Sequence, residues 1–187
     1  MGMGYKKIHA CPNDCLLYRG EYENLNACVK CGASRFKKKG ASDDGDDGLA
    51  QASKGVPVKV LWYLPIVSRL KRLFANPVDA KHLIWHANQK TDGKTIRYPV
   101  DSKQWEMINQ AWPQFGCEER NLRLGLCTDG INPHGTLSSQ HSSWPILLCI
   151  YNLPPWLCMK RKYIMLSLMI SNSKQPRNDN YPYYFMI

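Results

Sequence analysis

Leu122–Gly135 reads LRLGLCTDGINPHG. Its apolar opening, Leu122–Cys127, has the length of a buried β-strand. A single acid, Asp129, follows, and then a turn built from Gly130, Asn132, Pro133 and Gly135. Two more apolar runs, Trp144–Asn152 and Tyr163–Ser171, are each of strand length and bounded by turn formers. Three consecutive strands with short links are most simply an antiparallel meander, which places Asp129 on the first strand beside its turn.

Outward from that stretch, the chain has 187 residues, enough for one ordinary domain or a smaller domain with an added module. A formal net charge of +10 favours an anionic partner, nucleic acid first and an acidic membrane face second. The opening MGMGYKKIHACPND lacks the apolar core of a secretion signal, and Lys6 stands where a myristoylation signal needs Ser or Thr. No apolar run reaches membrane-spanning length, because Pro154, Pro155, Lys160, Arg161 and Lys162 interrupt the only candidate. The expectation is a reducing compartment, nucleus or cytosol.

In that setting four of the eight cysteines form a pattern, Cys11-x3-Cys15-x12-Cys28-x2-Cys31. Two close pairs separated by a hairpin-length spacer suit tetrahedral zinc, with a redox dithiol or free thiols as the alternative. Pro12, Asn13, Asp14 and Gly32 are turn residues of the kind such knuckles use, and Leu16–Tyr18 supply a hairpin strand between them. With four thiolates present, His9 is expected on the surface rather than in the coordination shell. Cys117, Cys127, Cys149 and Cys158 read as small buried residues or unpaired thiols.

Arg35, Lys37, Lys38 and Lys39 follow the cysteines and are phosphate contacts, a nuclear address or the solvated start of a linker. Residues 40–55 are rich in Gly, Asp, Ser and Ala and are expected to be a flexible linker; Asp43, Asp44, Asp46 and Asp47 lack the terminal Glu of a calcium loop. Val56–Phe74 opens extended and then, after Pro65, becomes an amphipathic helix with Ile66, Leu70, Leu73 and Phe74 on one face. Arg69, Lys71 and Arg72 fall largely on the other, as candidate nucleic-acid contacts or as a solvated face. A second helix over about Val78–Asn88 carries His82 and His86 one turn apart. Leu83 stands where a zincin needs Glu, so packing beside Trp85 outweighs metal binding. Lys94–Pro99 is expected to be a short strand. Asp101 and Ser102 cap a helix whose buried face is Trp105, Ile108, Ala111 and Trp112. Arg97, Lys103 and Arg120 are solvated charges or DNA-backbone contacts.

The segments IHACPNDCLLYRGEYENLNACVKCGASRFKKK, KVLWYLPIVSRLKRLFANP, LIWHANQKTDGKTIRYPVDSKQW and NLRLGLCTDGINPHG, in that order, resemble the transposase of plant En/Spm (CACTA) DNA transposons. The resemblance runs to about Lys174 and departs in the tail SKQPRNDNYPYYFMI. It implies an α+β architecture in five stretches: a zinc-ribbon-like module with a basic tail (1–39), the linker (40–55), a helical and short-strand segment (56–121), the first three antiparallel strands of an incomplete ribonuclease H-like core (122–174), and a divergent tail (175–187). It implies nuclear work on DNA and makes Asp129 the first of three acids that hold two Mg or Mn ions for strand cleavage and transfer. In-line attack on a phosphodiester needs both ions, and one carboxylate cannot organise them. Asp179 is the sole acid after Ser171, so the chain is expected to bind nucleic acid without cutting it, Asp129 being vestigial or an Asx-turn cap. The rival reading is a protein-interaction module that engages an intact transposase, or a gene remnant without function. No membrane and no small-molecule substrate are expected.

Overall fold

The computed structural model describes residues 4–37, 55–89, 95–132 and 142–172. Lys38, Lys39, the acidic part of the linker, Lys94, Pro133, Gly135, Asp179 and the tail aromatics Tyr181, Tyr183, Tyr184 and Phe185 lie outside them. The fold is mixed α and β with antiparallel strand pairing. Its contacts divide the chain into two units, one made of Met1–Tyr63, Gly130–Pro145 and Leu168–Ile187, the other of Leu64–Asp129 and Ile146–Ser167.

The first unit is built on β1 (Lys6–Ala10). On one side it pairs antiparallel with β2 (Leu17–Tyr18), His9 opposite Tyr18 and Ala10 opposite Leu17. On the other it pairs along its whole length with β3 (Lys59–Tyr63), from Lys6–Tyr63 to Ala10–Lys59. The end of β3 in turn pairs with Leu168–Ile170 of β6 (Met165–Asn172). The extended opening of the 56–74 stretch is thus a strand. Its partner β1, whose two leading lysines and His9 conceal it from a hydrophobicity pattern, was not expected. Leu61, Leu168 and Ile170 are buried here.

The second unit contains the amphipathic helix as expected: α1 (Val67–Ala75) buries Leu73 and leaves Lys71 and Arg72 exposed. Arg69 turns back instead. Its guanidinium donates to the carbonyls of Leu64 at 2.9 Å and Leu166 at 2.7 Å, fastening the helix start. Asn76 ends α1 and caps α2 (Pro77–Leu83) by accepting from the Val78 amide at 3.0 Å, with Pro77 at the first helical position. That helix stops at Leu83, and a 3-10 turn over Trp85–Asn88 follows, so His82 and His86 do not share one continuous helix face. Ser102 caps α3 (Lys103–Ala111) through the Trp105 amide at 3.3 Å. The short α4 (Pro113–Gly116) follows.

Three expectations are corrected in this unit. Thr95–Tyr98 form no strand. The Arg97 amide donates to the Asp101 carboxylate at 3.0 Å and Pro99 has no amide to give, so this backbone turns into a 3-10 turn over Pro99–Asp101. The buried face of α3 is Trp105 with Ile108 half-covered, whereas Ala111 is exposed and Trp112 is 63% exposed at the helix end. The opening strand, finally, is β4 (Leu124–Thr128), and it is not buried on both faces. Among the described residues it pairs antiparallel with β5 (Ser142–Ile150) on one side only, in the order β6-β5-β4. Leu126 is 47% exposed, while Gly125 faces inward under Tyr151. A Cβ at Gly125 would lie 2.2 Å from that ring, so the glycine is what lets the tyrosine cross the strand.

The core of this unit gathers Leu73, Leu83, Cys149, Ile150, Leu153, Cys158, Tyr163 and Met165. At its margin Asp79 in the first turn of α2 is 3% exposed and accepts hydrogen bonds from Lys162 Nζ at 2.6 Å and Tyr163 Oη at 2.8 Å. The Lys162 hydrogen bond holds its carboxyl below the usual range against the opposing effect of burial. A carboxyl depressed in the folded state contributes stability that is present above its unfolded value near 3.9 and is lost as pH falls through the lower folded value. Acid unfolding should therefore steepen below about pH 4. Asp79→Asn should be less stable at neutral pH and lose that part of the acid dependence, read by thermal denaturation at pH 7, 4 and 3.

Candidate functional site

The four N-terminal cysteines come together as their spacing predicts. Their sulfur atoms all lie within 4.8 Å of one another, with Cys11 Sγ and Cys31 Sγ 3.5 Å apart. Two turns carry them. In the first, Asp14 adopts φ 61° and its amide donates to the Cys11 carbonyl at 3.0 Å, returning Cys15 toward Cys11. In the second, Gly32 adopts φ 70° and its amide donates to the Cys28 carbonyl at 2.8 Å. Each knuckle needs one left-handed residue, which glycine supplies freely and an aspartate tolerates better than most residues. Cys28 N then donates to Ala33 O at 2.9 Å and Cys11 N to Leu16 O at 3.0 Å, so both turns open into short hairpins. Leu16, Tyr18, Cys11 and Cys28 form a buried cluster, flanked by Tyr22, Leu25 and Ala33.

This donor set fits zinc. A zinc–sulfur bond of about 2.3 Å in a tetrahedron requires sulfur–sulfur edges of about 3.8 Å, and the four atoms, none more than 4.8 Å from another, need little adjustment to reach it. Amide hydrogens already point at the sulfurs, as thiolates require: Asn13 N to Cys11 at 3.3 Å and Asn13 Nδ2 to Cys31 at 3.5 Å. Without a cation Cys11 and Cys15 resist ionising while Cys31 does not. Burial pushes the Cys11 thiol up and Cys15 to about 12, while the Ala33 amide and Asn13 side chain bring Cys31 down to about 6. A divalent ion removes that conflict by binding all four as thiolates. Four thiolate ligands would close the shell and leave no position for substrate. Among the described residues these cysteines are the only group of three or more candidate ligands close enough to share an ion.

The residues around the cluster hold it from three sides. Arg35, a predicted phosphate contact, points inward: its Nε donates to His9 Nδ1 at 2.9 Å, its Nη1 to Glu23 O and Leu25 O, and its guanidinium lies 4.7 Å over the Tyr18 ring. His9 is half-buried rather than a surface residue, with its ring edge-on to Phe36 at 5.9 Å. Asp14, 7% exposed, is ion-paired to Lys59, itself 5% exposed, at the start of β3. Sequence reasoning missed this pair. Asp14 read as a turn residue and Lys59 as one charge among many, and nothing local links positions 45 apart.

The other predicted residues are dispersed. Lys37 is exposed, and its amide donates to Val56 O at 2.8 Å. Lys71 and Arg72 are exposed on α1; Arg97 and Arg120 are paired with Asp101 and Glu118, respectively. Asp129 is exposed immediately after β4. Next to it, Gly130 lies under the Trp144 ring, where a Cβ would come within 2.8 Å of the indole, so the residue after the acid must be glycine. Cys117 and Cys127 are exposed thiols, Cys149 and Cys158 buried ones. Among the described residues no helix is long and apolar enough to cross a membrane.

No curated protein and no solved structure shows significant similarity to this chain. A family model, by contrast, matches residues 92–185, just over half of the 187, and it is described as transposase family tnp2. That span contains α3, the β4 strand with Asp129, and the β5 and β6 strands on which the sequence reading rested. The chain belongs to the transposase family tnp2.

Proposed function

We propose that this chain serves transposition as a nucleic-acid-binding unit of the nucleus whose N-terminal module is held by one structural zinc ion, and that it does not cut DNA by itself. The observation that carries the reading is the four-cysteine cluster on a chain of net charge +10 within a transposase family. Zinc would give a small module enough rigidity to present the exposed Lys37. The exposed Lys71 and Arg72 of α1 add a second patch suited to phosphates. The strand order β6-β5-β4 with Asp129 after β4 is compatible with the opening strands of a ribonuclease H-like core of the En/Spm (CACTA) kind, with Asp129 as its first metal acid.

The test is fluorescence anisotropy of labelled duplex and single-stranded DNA, titrated with the zinc-loaded chain across a series of salt concentrations. Micromolar-range binding that weakens linearly in log[salt] is expected, because each neutralised phosphate releases counterions. Absent or salt-insensitive binding contradicts the reading, and Mg- or Mn-dependent nicking by the pure chain contradicts the inactivity. The exposed outer face of β4, with Leu124 38% and Leu126 47% exposed, favours a second reading, in which this edge docks an intact transposase. Co-purification of a full-length transposase by a chain that binds no nucleic acid would establish that reading in place of the first.

A further inference from the structure

In the second unit a cavity of about 360 Å³ is lined by His86, Trp105, Asn109, Glu106, Glu119 and Arg123, among others. Its cation is unusual. Arg123 is partly buried and forms no ion pair with any acid among the described residues. Of the five N–H groups of its guanidinium, the hydrogen bonds found account for two: Nη1 to Trp105 O at 3.4 Å, and Nη2 to Asn109 Oδ1. The plane is fixed by aromatic faces, 3.7 Å from the Trp105 centroid and 5.6 Å from that of Phe115. Its backbone is fixed as well. Asn152, fully buried, accepts from Arg123 N at 2.6 Å and donates to Asn121 O at 2.9 Å, with His86 Nδ1 3.3 Å from its amide nitrogen.

A guanidinium held rigid, kept from carboxylates and left with unspent donors in a cavity is arranged for an external oxyanion. Three acids line the cavity, Glu106, Glu118 and Glu119, and the first and last decide which kind. Glu106 and Glu119 are exposed, and they repel a free phosphate dianion more than the single charge of a backbone phosphodiester. Glu118 is neutralised by Arg120 at 2.7 Å.

We propose that this cavity receives one backbone phosphodiester of a bound DNA strand, with Arg123 as its fork-shaped contact. The proposal rests on the nucleic-acid reading above and names one of its contact points. Thereafter the expectations are specific. Arg123→Gln should weaken binding of a labelled single-stranded oligonucleotide by about tenfold, uniformly across sequences, and reduce the slope of log K against log[salt] by about one. Arg123→Lys keeps the charge and loses the fork, so it should fall between the two. Because Arg123 also packs against Trp105, a second pair keeps the test clear of folding: Glu106→Gln and Glu119→Gln, both at exposed positions, should each tighten binding severalfold. A neutral methylphosphonate oligonucleotide should not respond to any of these changes.

Wild-type affinity and salt slope retained in Arg123→Gln, or rim variants without effect, overturn the proposal. So does inorganic phosphate that binds Arg123-dependently while oligonucleotide binding is unaffected, which would reassign the cavity to the free anion. If the wild-type chain binds no DNA at all, the broader functional reading fails first, and that result is distinguishable from all of these.

Discussion

Replacing Cys28 with Ser, or treating the zinc-loaded chain with a strong chelator, should unfold the N-terminal module. Cys28 is 3% exposed and sits at the centre of the buried cluster with Cys11, Leu16 and Tyr18. That cluster is too small to offset the conformational entropy of ordering its surrounding turns unaided. Zinc bound by four thiolates contributes on the order of 10 kcal/mol or more at neutral pH, and in such modules binding energy is folding energy. Amide protection of residues 5–37 should vanish on chelation and return with one equivalent of zinc, as read by hydrogen exchange. Protection that survives chelation would mean that the hairpins are held by β1–β3 pairing alone.

The second large effect is expected at Lys59. Its ammonium and the Asp14 carboxylate are 4% and 6% exposed as side chains, and each is the other's charge partner. Forming such a pair yields little net stability, because desolvating two charges opposes their attraction. Breaking it is different. Lys59→Met removes the ammonium that faces the buried Asp14 carboxylate in the first knuckle, and a loss of about 3–5 kcal/mol is expected in urea denaturation. Against a typical total of about 5–15 kcal/mol that is a large fraction. The double variant Asp14→Asn with Lys59→Met should recover most of the loss, since Asn also tolerates the left-handed backbone at position 14. A double variant as unstable as the single one would assign the effect to packing of the lysine stem instead.

What could be seen in the sequence, and what could not, divides along a physical line. The cysteine site was legible because each pair of ligands lies within one turn, so spacing and turn residues such as Asp14 and Gly32 specify it locally. The amphipathic α1 and the Ser102 cap were legible for the same reason: helical period and capping act over three or four residues. The pairing of β1 with β3 was not, because it joins positions some fifty residues apart across a stretch without pattern, and strand register leaves no local trace. Leu122–Cys127 misled because an apolar run cannot distinguish a strand buried on both faces from one whose outer side chains, like Leu126, meet solvent. Arg35 shows the same gap for charges. It read as a phosphate contact or a solvated linker start, and it is committed inward by a partner brought from elsewhere, His9.

Native mass spectrometry of the chain purified under reducing conditions tests the central claim most directly, because it counts metal ions and thiol protons together. A single zinc per chain, with the mass deficit of displaced thiol protons, is the predicted result, lost in Cys28→Ser. A metal-free chain whose mass shows free thiols or two disulfides at Cys11, Cys15, Cys28 and Cys31 would contradict it.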